Sequence, residues 1–213
     1  MLGDMYQSGT SVSTDMRLAA EWYQRAAKLN EPRALYRLAR FHDDGVLGRR
    51  DFARAHDFYL RAAALDNADA LGSLAGHYLN GRDVERDVAR AFGYAVRSSD
   101  LASGFGAYIR AYMLERGLGT ALDLTDAAHW YEVAFEAGEP RGAIGLAWLL
   151  EHGFGRPMDW VAAKALLEPL AAEGHSDAQA QLGRMLLSEP ASEAERRRAL
   201  VLLEQASDAG SPV

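Results

Sequence analysis

Six carboxylates recur at one spacing along the 213-residue chain: Asp15, Asp51, Asp87, Asp123, Asp159 and Glu195, each 36 residues after the last. Two acids a few ångströms apart can act as general acid and base on a glycosidic bond. Here the regularity argues for a different role. Four residues after each acid stands an alanine (Ala19, Ala55, Ala91, Ala127, Ala163, Ala199), and at plus seven and plus eight an aromatic or apolar pair. Each acid therefore marks the start of a repeated element, at the N-cap or in the first turn of a helix. There a carboxylate accepts free backbone N–H groups and faces the positive end of the helix dipole.

The other groups capable of chemistry are equally bound to the repeat. Gly117-x-Gly119 and Gly153-x-Gly155 look like the opening of a phosphate-binding loop, but they lack the third glycine and fall at the repeat's own turn position. The histidines (His42, His56, His77, His129, His152, His175) occupy different repeat positions and make no HExxH or other metal spacing. Lysine occurs only at Lys28 and Lys164, so no S-x-x-K motif exists, and there is no G-x-S-x-G elbow. With zero cysteines, thiolate catalysis, disulfides and cysteine zinc sites are excluded together. The expectation is no enzyme, no catalytic residue, no metal and no cofactor.

The elements between the acids are two helices per unit. After each acid, apolar or small residues fall at plus 4, 7, 8, 11 and 12, as in Ala19, Trp22, Tyr23, Ala26 and Ala27; this is the rhythm of one helical face. That helix stops at plus 15, at Asn30, Asp66, Gly138, Gly174 and Gly210, while Ala102 specifies the third stop less well. Thirteen residues before each acid is the centre of a first helix, at Leu2, Leu38, Leu74, Arg110, Leu146 and Leu182. Small residues sit four before it (Ala34, Ala70, Gly106, Gly142, Ala178) and one after it, so that the two helices approach closely. A glycine turn follows at Gly9, Gly45, Gly81, Gly117 and Gly153, with Glu189-Pro190 in its place in the sixth unit.

The pattern A-x-x-x-L-G-x-x-Y-x-x-G-x-G, then the acid, then A-x-x-W-Y-x-x-A-A-x-x-G, resembles the Sel1-like repeat, a relative of the tetratricopeptide repeat. The fifth unit carries its first half (Gly142, Leu146-Ala147, Gly153-Phe154-Gly155, Asp159) and the first unit its second (Asp15, Ala19, Trp22-Tyr23, Ala26-Ala27). Arg110 and Ser98-Ser99 depart from it, and the absence of cysteine sets the chain apart from the disulfide-braced branch. The resemblance implies an all-α superhelix, a solenoid of six 36-residue helix-turn-helix repeats whose first helices line a concave groove. It also implies a non-catalytic scaffold or adaptor that binds a protein or peptide there.

One domain over residues 1–213 is expected, with units of about 1–33, 34–69, 70–105, 106–141, 142–177 and 178–213 and the first helix truncated. The uncapped ends suggest an alternative role in self-association, possible as a homodimer, or as an accessory factor in bacterial envelope or polysaccharide assembly. The net charge of -7, with no basic stripe, argues against a nucleic-acid partner. No apolar run is long enough to span a membrane, and no leader is visible, which favours the cytoplasm slightly. Arginine and alanine richness points to a GC-rich bacterial gene.

The functional expectation falls on positions that the repeat leaves open. Two residues after each first-helix centre, the chain carries Asp4, Arg40, Gly76, Tyr112, Trp148 and Arg184 in turn. Tyr112 and Trp148, flanked by arginines, have the composition of a binding hot spot. With Tyr108 and Arg110 on the same helix as Tyr112, the candidate protein-binding set is Arg40, Tyr108, Arg110, Tyr112, Trp148 and Arg184. The alternative is that the rings fold back as core.

Overall fold

A computed structural model describes residues 1–188 and 192–210. Among these the regular structure is all α-helical, in twelve helices: α1 (Leu2–Ser8), α2 (Met16–Ala27), α3 (Pro32–Asp44), α4 (Phe52–Ala63), α5 (Ala68–Asn80), α6 (Val88–Asp100), α7 (Gly104–Arg116), α8 (Leu124–Glu136), α9 (Pro140–His152), α10 (Trp160–Ala172), α11 (Ser176–Ser188) and α12 (Glu193–Asp208). Odd-numbered helices are the first and even-numbered helices the second members of six successive pairs, so the chain is an α-solenoid of the expected kind. Glu189-Pro190 lies outside the described residues.

Five ladder acids are the N-caps of second helices. Asp15 accepts from the amides of Arg17 and Leu18, Asp51 from Arg54, Asp87 from Arg90, Asp123 from Thr125 and Asp126, and Asp159 from Ala162. The sixth differs. Ser192 is the N-cap of α12, and Glu195, three residues in, returns its carboxylate to the Ser192 backbone amide at 2.8 Å, forming a capping box. Past the second helices the left-handed stop appears at Asn30, Asp66, Gly138, Gly174 and Gly210, and also at Ala102, where φ is +61°. The third stop is therefore as well defined as the rest, although alanine pays a steric penalty for it.

The chain divides into two compact units. The first comprises residues 1–109 and 118–120, the second residues 110–117 and 121–213; α7 gives its first half to one and its second half to the other. In unit 1, Tyr23, Leu35, Leu38, Tyr59, Leu71 and Leu74 are fully buried, each worth about 1.5–3 kcal/mol of transfer free energy. Arg61 and Arg97 reach back to the carbonyls of Ala27 and Ala63 at 3.4 Å, tying each second helix to the end of the one before it. In unit 2 the centre is Met113, Tyr131, Leu149, Leu167, Leu182 and Met185. Here α9 touches α8 through Gly142, where an added Cβ would lie 2.5 Å from the Tyr131 carbonyl oxygen, so a side chain would force the helices apart.

Inside the pairs runs a hydrogen-bond register that the apolar pattern conceals. The hydroxyl at plus eight of a second helix meets a polar side chain sixteen residues earlier on the first: Tyr23 with Gln7 at 2.7 Å, Tyr59 with Asp43 at 3.4 Å and Tyr131 with Glu115 at 2.5 Å. Where the tyrosine is replaced by Ala95, the partner position is Leu79, which needs no donor. A buried hydroxyl without an acceptor is costly, and in the third unit both members of the pair are apolar; in the fifth, Leu167 stands at plus eight while Glu151 keeps the polar position and accepts from Gln181 instead.

Candidate functional site

The site is built on α7, α9 and α11, which are successive first helices. Of the six residues singled out by sequence, Arg40 and Tyr108 belong to unit 1, and Arg110, Tyr112, Trp148 and Arg184 to unit 2. Arg40 is exposed and held by its own helix, its Nε and Nη2 donating to Asp44 Oδ2 at 3.1 and 3.0 Å and its Nη1 to the Tyr36 hydroxyl at 3.4 Å. Tyr108 is half-buried. Arg110, at the centre of the fourth first helix, lays its guanidinium over the ring of Trp130 on α8, 3.8 Å from the centroid. It thereby replaces the usual leucine with a cation–π contact between paired helices.

Tyr112, Trp148 and Arg184 hold equivalent positions on α7, α9 and α11. Tyr112 is half-buried, and the guanidinium of Arg116, one turn on, covers its ring at 4.6 Å. Trp148 is half-buried as well, and its recorded ring neighbours belong to its own repeat. His152 lies 4.8 Å and Phe154 5.4 Å from it, and His152 stacks on Phe154 at 5.6 Å. His152 Nδ1 sits 2.8 Å from the Trp148 carbonyl oxygen. His152 and Phe154 are both exposed, the latter by 41%. The outcome is a surface cluster of three rings.

The sequence places this cluster by locking the turn after α9. That helix begins with Pro140 at its first position and the Glu139 carboxylate accepting from the Arg141 amide, and it ends at Gly153 with φ +69°. Two residues on, a Cβ at Gly155 would stand 2.0 Å from the Leu124 carbonyl oxygen, so only glycine lets the turn rest on the start of α8. Arg156 then donates to Glu132 on α8 at 2.6 Å, an interaction that holds the Glu132 carboxyl below its ordinary value. The Trp160 indole N–H donates to the Glu151 carbonyl at 3.1 Å. Pinned on both sides, Phe154 is held against His152 and Trp148. The G-x-G spacing is thus a close backbone approach, with Phe154 as its variable residue.

His152 and Phe154 escaped the sequence reading. Their signal was present in the Gly153-Phe154-Gly155 turn, whose middle residue is Val46 in the second repeat and Arg82 in the third. Two carboxylates of α7 and α9 are engaged by neighbouring side chains. Glu115, with 12% of its side chain exposed, receives the Tyr131 hydroxyl, and Glu151 receives the Gln181 amide at 3.1 Å. Arg184 is exposed, with no carboxylate within 4 Å among the described residues. Among those residues there is also no cluster of three His, Asp or Glu side chains able to hold a metal, and no helix long and apolar enough to cross a membrane.

Comparison with known proteins agrees with this architecture. The family model described as Sel1 repeat matches residues 1–31, 32–67, 68–103, 105–139 and 176–211. Among solved structures, a Sel1 repeat protein from Oxalobacter formigenes is similar over 98% of this chain and 85% of its own, at 22% identity and a TM-score of 0.83. A protective antigen of uropathogenic Escherichia coli strains, displaying an SLR fold, is 27% identical over 98% of this chain, with a TM-score of 0.75; this chain spans 45% of its length. A putative Sel1 repeat protein from Klebsiella pneumoniae is 24% identical over 90% of this chain and 93% of its own, with a TM-score of 0.59. Among curated proteins none matches. Sel1 repeats are generally protein–protein interaction modules. With the family model covering most of its length, this chain belongs to the Sel1 repeat family.

Proposed function

We propose that the protein is a non-catalytic scaffold that binds a protein or peptide on the face of its first helices, with the fourth and fifth repeats as the main contact zone. The observation that carries this reading is the Trp148–His152–Phe154 cluster, three rings held at the surface by a turn that glycine pins to the neighbouring helix. A rigid aromatic group offers large contact area at little entropic cost on binding. Tyr112 and Arg184, at the same repeat position on the adjacent helices, widen the surface to either side. Within the same unit Arg110 packs on Trp130 of α8, while Arg40 and Tyr108 lie in unit 1 and stand outside the proposed contact zone.

The test is affinity capture from the source cells with the intact protein and with a Tyr112→Ala, Trp148→Ala double variant, alongside thermal unfolding of both. Proteins retained by the wild type and lost by a variant that still unfolds cooperatively support the reading. Unchanged capture, together with a lowered Tm, would assign the two rings to the core instead.

A further inference from the structure

Resting on that binding surface, the charges around it point to the chemistry of what it binds. The whole chain is acidic, with a net charge of -7, yet on the helices flanking Trp148 two arginines, Arg116 and Arg184, are exposed. Two carboxylates of α7 and α9, Glu115 and Glu151, are engaged by the Tyr131 hydroxyl and the Gln181 amide. Arg116 has 54% of its side chain exposed and only a long 3.9 Å pairing with Glu115. Arg116 stands in the last turn of its helix, where positive charge is balanced by the helix dipole. Arg184 has neither compensation. It is exposed on α11, before the last turn, and no carboxylate of the described residues lies within 4 Å of it. Asp177, the single acid within α11, lies two turns away at its start.

We propose that this face takes an acidic linear segment, with a carboxylate on the Arg184 guanidinium and an adjoining apolar or aromatic side chain against Trp148 and Phe154. A guanidinium presents its donors in a fork that matches a carboxylate's two oxygens. The three-ring cluster on the neighbouring helix supplies the apolar half of the contact. The partner's carboxylate would meet a cation that has no ion-pair partner among the described residues. A basic segment would meet repulsion there, so the same arrangement sets specificity by exclusion.

The experiment is selection of random linear peptides displayed on phage against the full-length protein, followed by affinity measurement on purified variants whose Tm is checked. The expected result is enrichment of peptides carrying Asp or Glu beside an apolar or aromatic residue. Their affinity should fall roughly tenfold in Arg184→Ala and weaken with added salt. Selection on Arg184→Glu should turn towards Lys- or Arg-bearing peptides. Enriched peptides that need Trp148 but are neutral or basic, or that bind Arg184→Glu as well as wild type, would overturn the acidic partner and leave the binding surface standing. No enrichment dependent on Trp148 would overturn both.

Discussion

His77 stands at a position that is apolar in the repeats on either side, Phe41 before it and Met113 after it. It is buried in unit 1, its Nε2 3.6 Å from Asp43, its ring edge-on to Tyr59 and parallel to His56 at 6.5 Å. Asp43 also receives Arg82 at 3.0 Å, and Asp83 lies close enough to act on His77. His56 faces Tyr78, Arg90 and Asp57, and its Nδ1 is buried without a hydrogen-bond partner. Burial pushes the His77 imidazole below its ordinary value, with Asp43 opposing; burial and then the His77 charge push His56 down. The unfolded chain therefore takes up protons first as the pH falls. Stability is fully present above about pH 6.5 and is lost below it, as pH falls through the lowered folded values. Thermal unfolding should show a lower Tm at about pH 5.5 than at about pH 7.5. His77→Met, which restores the residue type of Met113, should shrink that difference. A Tm equally pH-dependent in the variant would remove His77 as its source.

At the scale of elements, helix starts, stops and the paired-helix pattern were legible because each is a local rule repeated at one spacing. Asp15 to Asp159 read as caps because a carboxylate followed by an apolar rhythm has few other uses. Glu195 read as a first-turn acid without revealing that Ser192 carries the cap. The stop at Ala102 was illegible because its left-handed turn is imposed by the repeat against the residue's own preference. Ala102→Gly should accordingly raise stability by about 1 kcal/mol in urea unfolding; no gain would mean that the alanine is not strained. Gly155→Ala is its converse. With φ at +70° and a Cβ 2.0 Å from the Leu124 carbonyl oxygen, it should cost more than about 2 kcal/mol and dislodge Phe154. A near-neutral change would show that the turn is not anchored on α8. The tyrosine hydrogen-bond pairs were missed for a related reason. The partners at Gln7, Asp43 and Glu115 lie sixteen residues upstream, outside the window of a single helical face.

For the molecule as a whole, the repeat accounts for the places of its ladder acids and turn glycines, and the proposed binding face is read from the positions the repeat leaves open. Tyr112, Trp148 and Arg184 could be found in the sequence because the ruler of six acids assigns all three to one position on successive first helices. That His152 and Phe154 complete the cluster could not, since it depends on how the turn after α9 bends over α8. Composition alone also hid the exposed arginines: a chain of net charge -7 leaves Arg116 and Arg184 exposed on the helices flanking Trp148. The most direct test is site-specific photo-crosslinking in the source cells. A benzophenone amino acid is introduced in place of Trp148, and in a control in place of Val161, which is 81% exposed on α10 of the same unit. Binding through the first-helix face requires a discrete protein adduct from position 148 and none from position 161. Adducts of equal yield at both positions, or at 161 alone, would contradict it.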